Sequence, residues 1–198
     1  MNKIILLQKK ISDYFSLPEV ERKMIKARCI KSKDPTQYSF IPFGVHQLIP
    51  SFIALKALGC RRFLDVGCGV GNIVKTAEMV GFKSYGIECN QDLKKLQLTR
   101  NIGYIDAFEF DFYDKYDLIY YFRPMCDETS QLQFEYAVIK GMKPGAYLMG
   151  LGSSWQCFNG EYRTKFNQSQ VEEMIKEFKK LRKVYIKNIP SQIFQKIK

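Results

Sequence analysis

Phe63-Leu64-Asp65-Val66-Gly67-Cys68-Gly69-Val70-Gly71-Asn72 is the stretch whose reading decides the fold. A short apolar run, the length of a buried strand, passes directly into a turn with glycine at every second position. Glycine adopts positive φ without penalty and lacks a Cβ, so the chain can bend sharply there and a ligand can lie against bare backbone. The spacing is G-x-G-x-G rather than the G-x-G-x-x-G of the dinucleotide fingerprint. Asp65 stands two residues before the first glycine.

Outward from this turn, short apolar runs alternate with helical stretches, the sequence form of repeated βα units on a largely parallel sheet. Strands are expected at Arg62–Val66, Ser84–Glu88, Ile102–Ile105, Tyr116–Phe122 and Ala146–Gly150. Helices are expected at Asn72–Val80, Asp92–Arg100, Thr129–Lys140 and Gln168–Leu181, the last with Val171, Met174, Ile175, Phe178 and Leu181 on one face. Val184–Ile189 and Ile193–Ile197, split by Asn188, Pro190 and Ser191, read as a closing antiparallel pair. Before the strand pattern begins, the chain reads as helical: Asn2–Phe15, a second helix from Pro18 ending before Asp34-Pro35, and a third over Val45–Leu58. The expectation is an α/β chain, doubly wound, with helices on both faces of a mostly parallel sheet. An N-terminal helical segment (1–60) packs on or over a core (61–198) in one domain.

LDVGCGVGN, Leu64 to Asn72, closely resembles the first motif of the class I S-adenosylmethionine-dependent methyltransferases. The resemblance implies a seven-stranded Rossmann-like methyltransferase fold and S-adenosyl-L-methionine as cofactor, bound on Asp65, Gly67, Cys68, Gly69, Gly71 and Asn72. In that family an acidic residue ending the second strand takes the two ribose hydroxyls. Glu88, in Tyr85-Gly86-Ile87-Glu88-Cys89-Asn90, stands at that place, about 20 residues past the loop as ribose recognition requires. A carboxylate suits the task because its two oxygens accept both hydroxyl hydrogens. Cys89 and Asn90 would lie beside it, Asp106 and Ala107 beside the adenine, and Phe122 at the end of the fourth strand. Lys143-Pro144-Gly145-Ala146-Tyr147-Leu148 is similar to the family's turn into its fifth strand.

In this family the acceptor meets residues after the fourth strand, here Phe122-Arg123-Pro124-Met125. Enzymes that methylate exocyclic base amines carry Asn or Asp before Pro-Pro there, and this chain does not. Nor does Cys126 directly follow a proline, as methylation of pyrimidine carbon requires. Arg123 can hold an anionic group of a substrate or pair with Asp127 or Glu128. His46, the sole histidine, is either a helix-face residue or a pocket residue if Phe40 to His46 folds over the cofactor. Trp155 can stack on a substrate ring or pack. No catalytic residue is assigned, because in-line methyl transfer draws on positioning and exclusion of water rather than on a triad.

Charge separates the flanks from the middle. Lys and Arg number 12 against 4 acidic residues over 1–62, 9 against 12 over 63–154, and 10 against 4 over 155–198, within a net charge of +11. Basic flanks favour a polyanion, which puts nucleic acid slightly ahead of a small molecule as methyl acceptor. A non-catalytic binding protein that keeps the fold is the competing reading. The six cysteines (Cys29, Cys60, Cys68, Cys89, Cys126, Cys157) form neither a CxxC pair nor a Cys/His cluster, so no metal site or disulfide framework is expected. No apolar run approaches the roughly 20 residues of a membrane span, and a cytoplasmic location is expected.

Overall fold

A computed structural model describes residues 3–42, 44–158, 165–187, 189 and 192–197. Asn2, Asn188, Pro190 and Ser191, which the sequence reading used, lie outside the described residues. The strands are β1 (Arg62–Val66), β2 (Lys83–Glu88), β3 (Ile102–Tyr104), β4 (Leu118–Phe122), β5 (Tyr147–Leu151), β6 (Leu181–Val184) and β7 (Ile193–Lys196). The helices are α1 (Lys3–Phe15), α2 (Pro18–Arg28), α3 (Ile49–Ala57), α4 (Asn72–Val80), α5 (Glu128–Gly141) and α6 (Gln168–Phe178). They form one seven-stranded sheet in the order β3-β2-β1-β4-β5-β7-β6. β1 to β5 pair in parallel, and β7 runs antiparallel to both β5 and β6. This is the doubly wound 3-2-1-4-5 arrangement closed by an antiparallel β7, the Rossmann-like methyltransferase fold. Its strand order reverses between β1 and β4, so the crevice beyond their C-terminal ends is where such a sheet receives a ligand.

Side-chain alternation sorts the two faces. Phe63 of β1 and Leu118 and Tyr120 of β4 pack with Ile11 of α1, Phe52 and Leu55 of α3 and Ala77 of α4. Leu64 and Val66, with Ile119 and Tyr121, face Leu132 and Val138 of α5 and Met174 and Phe178 of α6. The rings of Phe52, Phe63 and Phe82 meet at centroid distances of 5.1 to 6.0 Å. Burial of a side chain of this size contributes about 1.5–3 kcal/mol.

Local chemistry starts and stops the helices. Pro18 stands in the first turn of α2 and Pro50 in that of α3, where a missing N–H costs nothing. Asp127 caps α5 by accepting from the Ser130 N–H at 2.9 Å, and Asn167 and Gln170 close a capping box on α6. At the other end of α5 the cap comes from β7. Lys196, almost fully buried, donates to the carbonyls of Ile139, Lys140 and Met142 at 2.6 to 3.1 Å.

Three expected elements differ. Asp92–Arg100 is not an α-helix: a 3-10 stretch covers Gln91–Leu96, and the chain then extends so that the Leu98 N–H donates to the Val70 carbonyl at 2.8 Å. Tertiary pull on the glycine turn overrides the helical spacing there. The expected Val45–Leu58 helix is a 3-10 turn at Val45–Gln47 followed by α3. The strand placed at Val184–Ile189 is β6, ending at Val184, because α6 stops at Phe178 and Leu181 already pairs with Lys196. Among the described residues no helix is long and apolar enough to cross a membrane.

Candidate functional site

The glycine turn after β1 is held open by glycine-specific backbone. Gly67, Gly69 and Gly71 have φ of 74°, 57° and 82°, the left-handed region that side chains disfavour by about 1–2 kcal/mol. The three serve different ends. A Cβ on Gly69 would stand 2.2 Å from the Phe40 ring, whereas one on Gly71 would stand 2.7 Å from Ile102. Gly69 therefore lets a ring from the N-terminal segment lie on the turn, while Gly71 lets the start of α4 press against β3.

Glu88, at the end of β2, reaches across to the same turn. One of its carboxylate oxygens accepts from the Gly69 N–H at 2.8 Å and the other from the Asn90 N–H at 2.9 Å. The carboxylate is thus oriented by two backbone donors, with the Cys89 thiol 3.6 Å from the oxygen that accepts from Asn90, and lone pairs are left over for a ligand. Gly67 and Cys68 both donate to the Ile87 carbonyl, which ties the turn to β2. Asp65 lies beneath it, 2 % exposed. Its burial and the neighbouring Glu88 push its carboxyl well above the ordinary range. A cation arriving beside this pair would relieve that penalty.

A cavity of about 340 Å³ opens at this point, within the roughly 300–1,000 Å³ common for small-ligand sites. Asp65, Gly67, Cys68, Gly69, Asn72, Glu88, Cys89, Asn90, Asp106, Ala107, Phe122 and Arg123 all line it. Asp106 turns the chain at its adenine-side candidate position by accepting from the Phe108 N–H at 2.8 Å. The thiols of Cys68 and Cys89 are raised, Cys89 to about 12, by burial first and nearby carboxylates second, so neither is a ready nucleophile.

Three sequence candidates fall elsewhere. Gly71 is outside the lining and serves helix packing. His46 is exposed in its 3-10 turn and does not reach the cavity. Trp155 packs on Phe194 and Phe178, with centroids 4.8 and 6.0 Å apart, on the α6 side of the sheet. Arg123 lines the cavity but its guanidinium is paired with Glu128. It is the one non-glycine residue with positive φ among the described residues, at 29°.

The segment from Ser32 to Ile41 walls the cavity with Gln37, Tyr38, Ser39 and Phe40; of these the sequence pointed only to Phe40, as the start of a stretch that could fold over the cofactor, and Gln37, Tyr38 and Ser39 were missed. The segment is stapled to the loop after β4 by an antiparallel bridge. The Tyr38 N–H donates to the Pro124 carbonyl at 3.1 Å, and the Cys126 N–H to the Thr36 carbonyl at 2.7 Å. The loop is braced from below by α5, where Gln131 accepts from the Met125 N–H and donates to Glu135. Glu135, fully buried, also accepts from the Tyr121 hydroxyl and from the Ser154 and Trp155 N–H groups. The loops after β4 and β5 are thereby fixed to one helix.

No family model matches the chain, and no curated protein matches it. Among solved structures it is similar to an S-adenosylmethionine-dependent methyltransferase from Clostridium acetobutylicum ATCC 824, at 14 % identity and a TM-score of 0.49, over 78 % of this chain and 92 % of that one. It is also similar to the N-methyltransferase NodS from Bradyrhizobium japonicum WM9, at 15 % identity and 0.47, over 78 % and 94 %. At that level of likeness neither bears on the chemistry of the site, which rests on its own geometry.

Proposed function

We propose that this chain binds S-adenosylmethionine and directs its methyl group to a small-molecule acceptor held in the same cavity. The observation that carries the reading is the pairing of Glu88 with the Gly69 N–H across the mouth of the glycine turn. It presents an oriented carboxylate to a ribose diol and bare backbone to the rest of the ligand. Asp65, buried beneath the turn, is a carboxyl that a ligand carrying a sulfonium and an ammonium would hold in its ionised form. When bound, S-adenosylmethionine supplies an electrophilic methyl on a sulfonium. This chain's own residues then bind, orient and exclude water. Phe40, lying over Gly69, together with Tyr38 and Phe122, closes an apolar wall beside the position of transfer.

A partly closed apolar cavity walled by the N-terminal segment and the Phe122 region favours a small acceptor over a polymer. The basic flanks remain the argument for nucleic acid. A labelled-methyl assay separates the readings: the protein is incubated with labelled S-adenosylmethionine and, in parallel, a panel of small amines, phenols and thiols, and total RNA. Label in a small molecule supports the proposal. Label in RNA alone, weakening steeply with salt, would move the acceptor to nucleic acid, and tight cofactor binding without transfer to any pool would favour the non-catalytic alternative.

A further inference from the structure

Asp65 of β1 and Tyr120 of β4 are register partners on adjacent parallel strands, so their side chains leave the sheet on the same face. That face carries Phe63 and the helices α1, α3 and α4. Both residues line the cavity, and each is 2 % exposed. The Tyr120 ring is packed against Phe63, with centroids 6.5 Å apart, which fixes where its hydroxyl is carried. Among the described residues that hydroxyl has no hydrogen-bond partner.

A buried hydroxyl without a partner costs about 1–3 kcal/mol, and phenylalanine would fill the same space without that cost. The hydroxyl is therefore unexplained by packing. Its neighbour is a carboxylate whose burial also needs an answering charge. One event answers both: a cation drawn up to Asp65 holds the carboxylate ionised, and an ionised carboxylate is the strong acceptor that a phenol can donate to.

We propose that Tyr120 is a positioning residue: its hydroxyl donates to the Asp65 carboxylate when the ammonium of the cofactor's amino-acid end arrives there, and so sets the preference for ligands that carry that ammonium. The inference rests on the cofactor reading above and adds a residue to it. Tyr120 acts through Asp65 and touches no reacting atom. Its effect is confined to one end of the ligand, because Glu88 and Asp106 lie on the β2 and β3 side of the cavity while Tyr120 lies on β4.

The test compares two ligands that share the adenosine and the sulfur. S-adenosylhomocysteine carries the ammonium and 5′-methylthioadenosine lacks the amino-acid end. Each is titrated calorimetrically into the parent protein, Tyr120→Phe and Asp65→Asn. The parent prefers S-adenosylhomocysteine. In Tyr120→Phe that preference falls about tenfold, the size of one hydrogen bond to a charged group. Affinity for methylthioadenosine stays as it was, and the thermal midpoint is no lower than the parent's. Asp65→Asn lowers the preference further, and adding Tyr120→Phe to it changes nothing more.

An unchanged preference in Tyr120→Phe, or an equal fall for both ligands, would overturn the proposal while leaving the cofactor reading intact. A parent protein that binds neither ligand would overturn both. A Tyr120→Phe protein that fails to fold would also overturn the proposal, because the hydroxyl would then be required by the packing it was argued not to serve.

Discussion

Replacing Glu88 by glutamine separates what this side chain does for the fold from what it does for a ligand. Each carboxylate oxygen now accepts one backbone N–H, from Gly69 at 2.8 Å and from Asn90 at 2.9 Å. An amide has one acceptor oxygen, so either orientation turns an NH₂ group against an N–H. The Gly69 donor is buried and the Asn90 donor only partly so, and the amide oxygen will settle on Gly69. The fold then loses the less costly bond, about 1 kcal/mol, at the low end of the range for an unsatisfied buried group. The ligand loses more. A diol that donated to two oxygens of a charged group keeps one neutral acceptor, which removes about 1.5–3 kcal/mol, or roughly 10- to 100-fold in affinity. Urea denaturation reads the first quantity and calorimetric titration with S-adenosylhomocysteine the second. Because the ribose is common to both ligands, methylthioadenosine should weaken in parallel, unlike its behaviour in Tyr120→Phe. A Glu88→Gln protein that binds adenosylhomocysteine as tightly as the parent would refute the assignment of Glu88 to the ribose.

Two further expectations concern charges buried away from the cavity mouth. Lys196→Met removes the donor that caps three carbonyls at the end of α5, and should lower unfolding free energy by about 2–4 kcal/mol in urea; a loss below about 1 kcal/mol would mean that the carbonyls find other partners. Burial outweighs the hydrogen bonds to Glu135 and raises its carboxyl from 4.5 to about 7. A carboxyl raised on folding favours the native state fully below the unfolded value, and that contribution is lost as pH rises through the folded one. Between pH 4.5 and 8 the stability of the parent relative to Glu135→Gln should therefore fall by up to about 3 kcal/mol, measured by denaturation at several pH values, and a difference that stays flat across that window would contradict the account.

What could be read from the sequence was what is encoded locally. The glycine turn requires glycine at its own φ values, and Glu88 follows it at the interval set by one α4 helix and one strand. The turn was legible from its spacing, as was the sheet's parallel core from the alternation of runs, whereas Glu88 was singled out by the resemblance to the methyltransferase family, with its interval from the turn in agreement. Of the segment from Ser32 to Ile41 only Phe40 onward was expected near the pocket; Gln37, Tyr38 and Ser39 were not, because the segment is placed by backbone bonds from Tyr38 to Pro124 and from Cys126 to Thr36, and backbone groups are the same in every residue. Asp92–Arg100 has helical spacing, yet one bond from Leu98 to Val70 draws it out of helix. Nothing in the sequence singled out Glu135 and Lys196, which are charged residue types that are seldom buried, yet both are buried. Apart from Gln131, one turn away from Glu135, their hydrogen-bond partners lie 14 to 57 positions away, which no local pattern records.

The central claim is that the cavity at the glycine turn binds S-adenosylmethionine, and calorimetric titration of the folded protein with that compound and its demethylated product tests it most directly. Gly69→Arg is the control, since any Cβ at Gly69 meets the Phe40 ring and its φ of 57° disfavours a side chain. Saturable binding of both compounds at one site is expected, lost in Gly69→Arg protein that retains its circular dichroism. Absence of binding by the well-folded parent would contradict it.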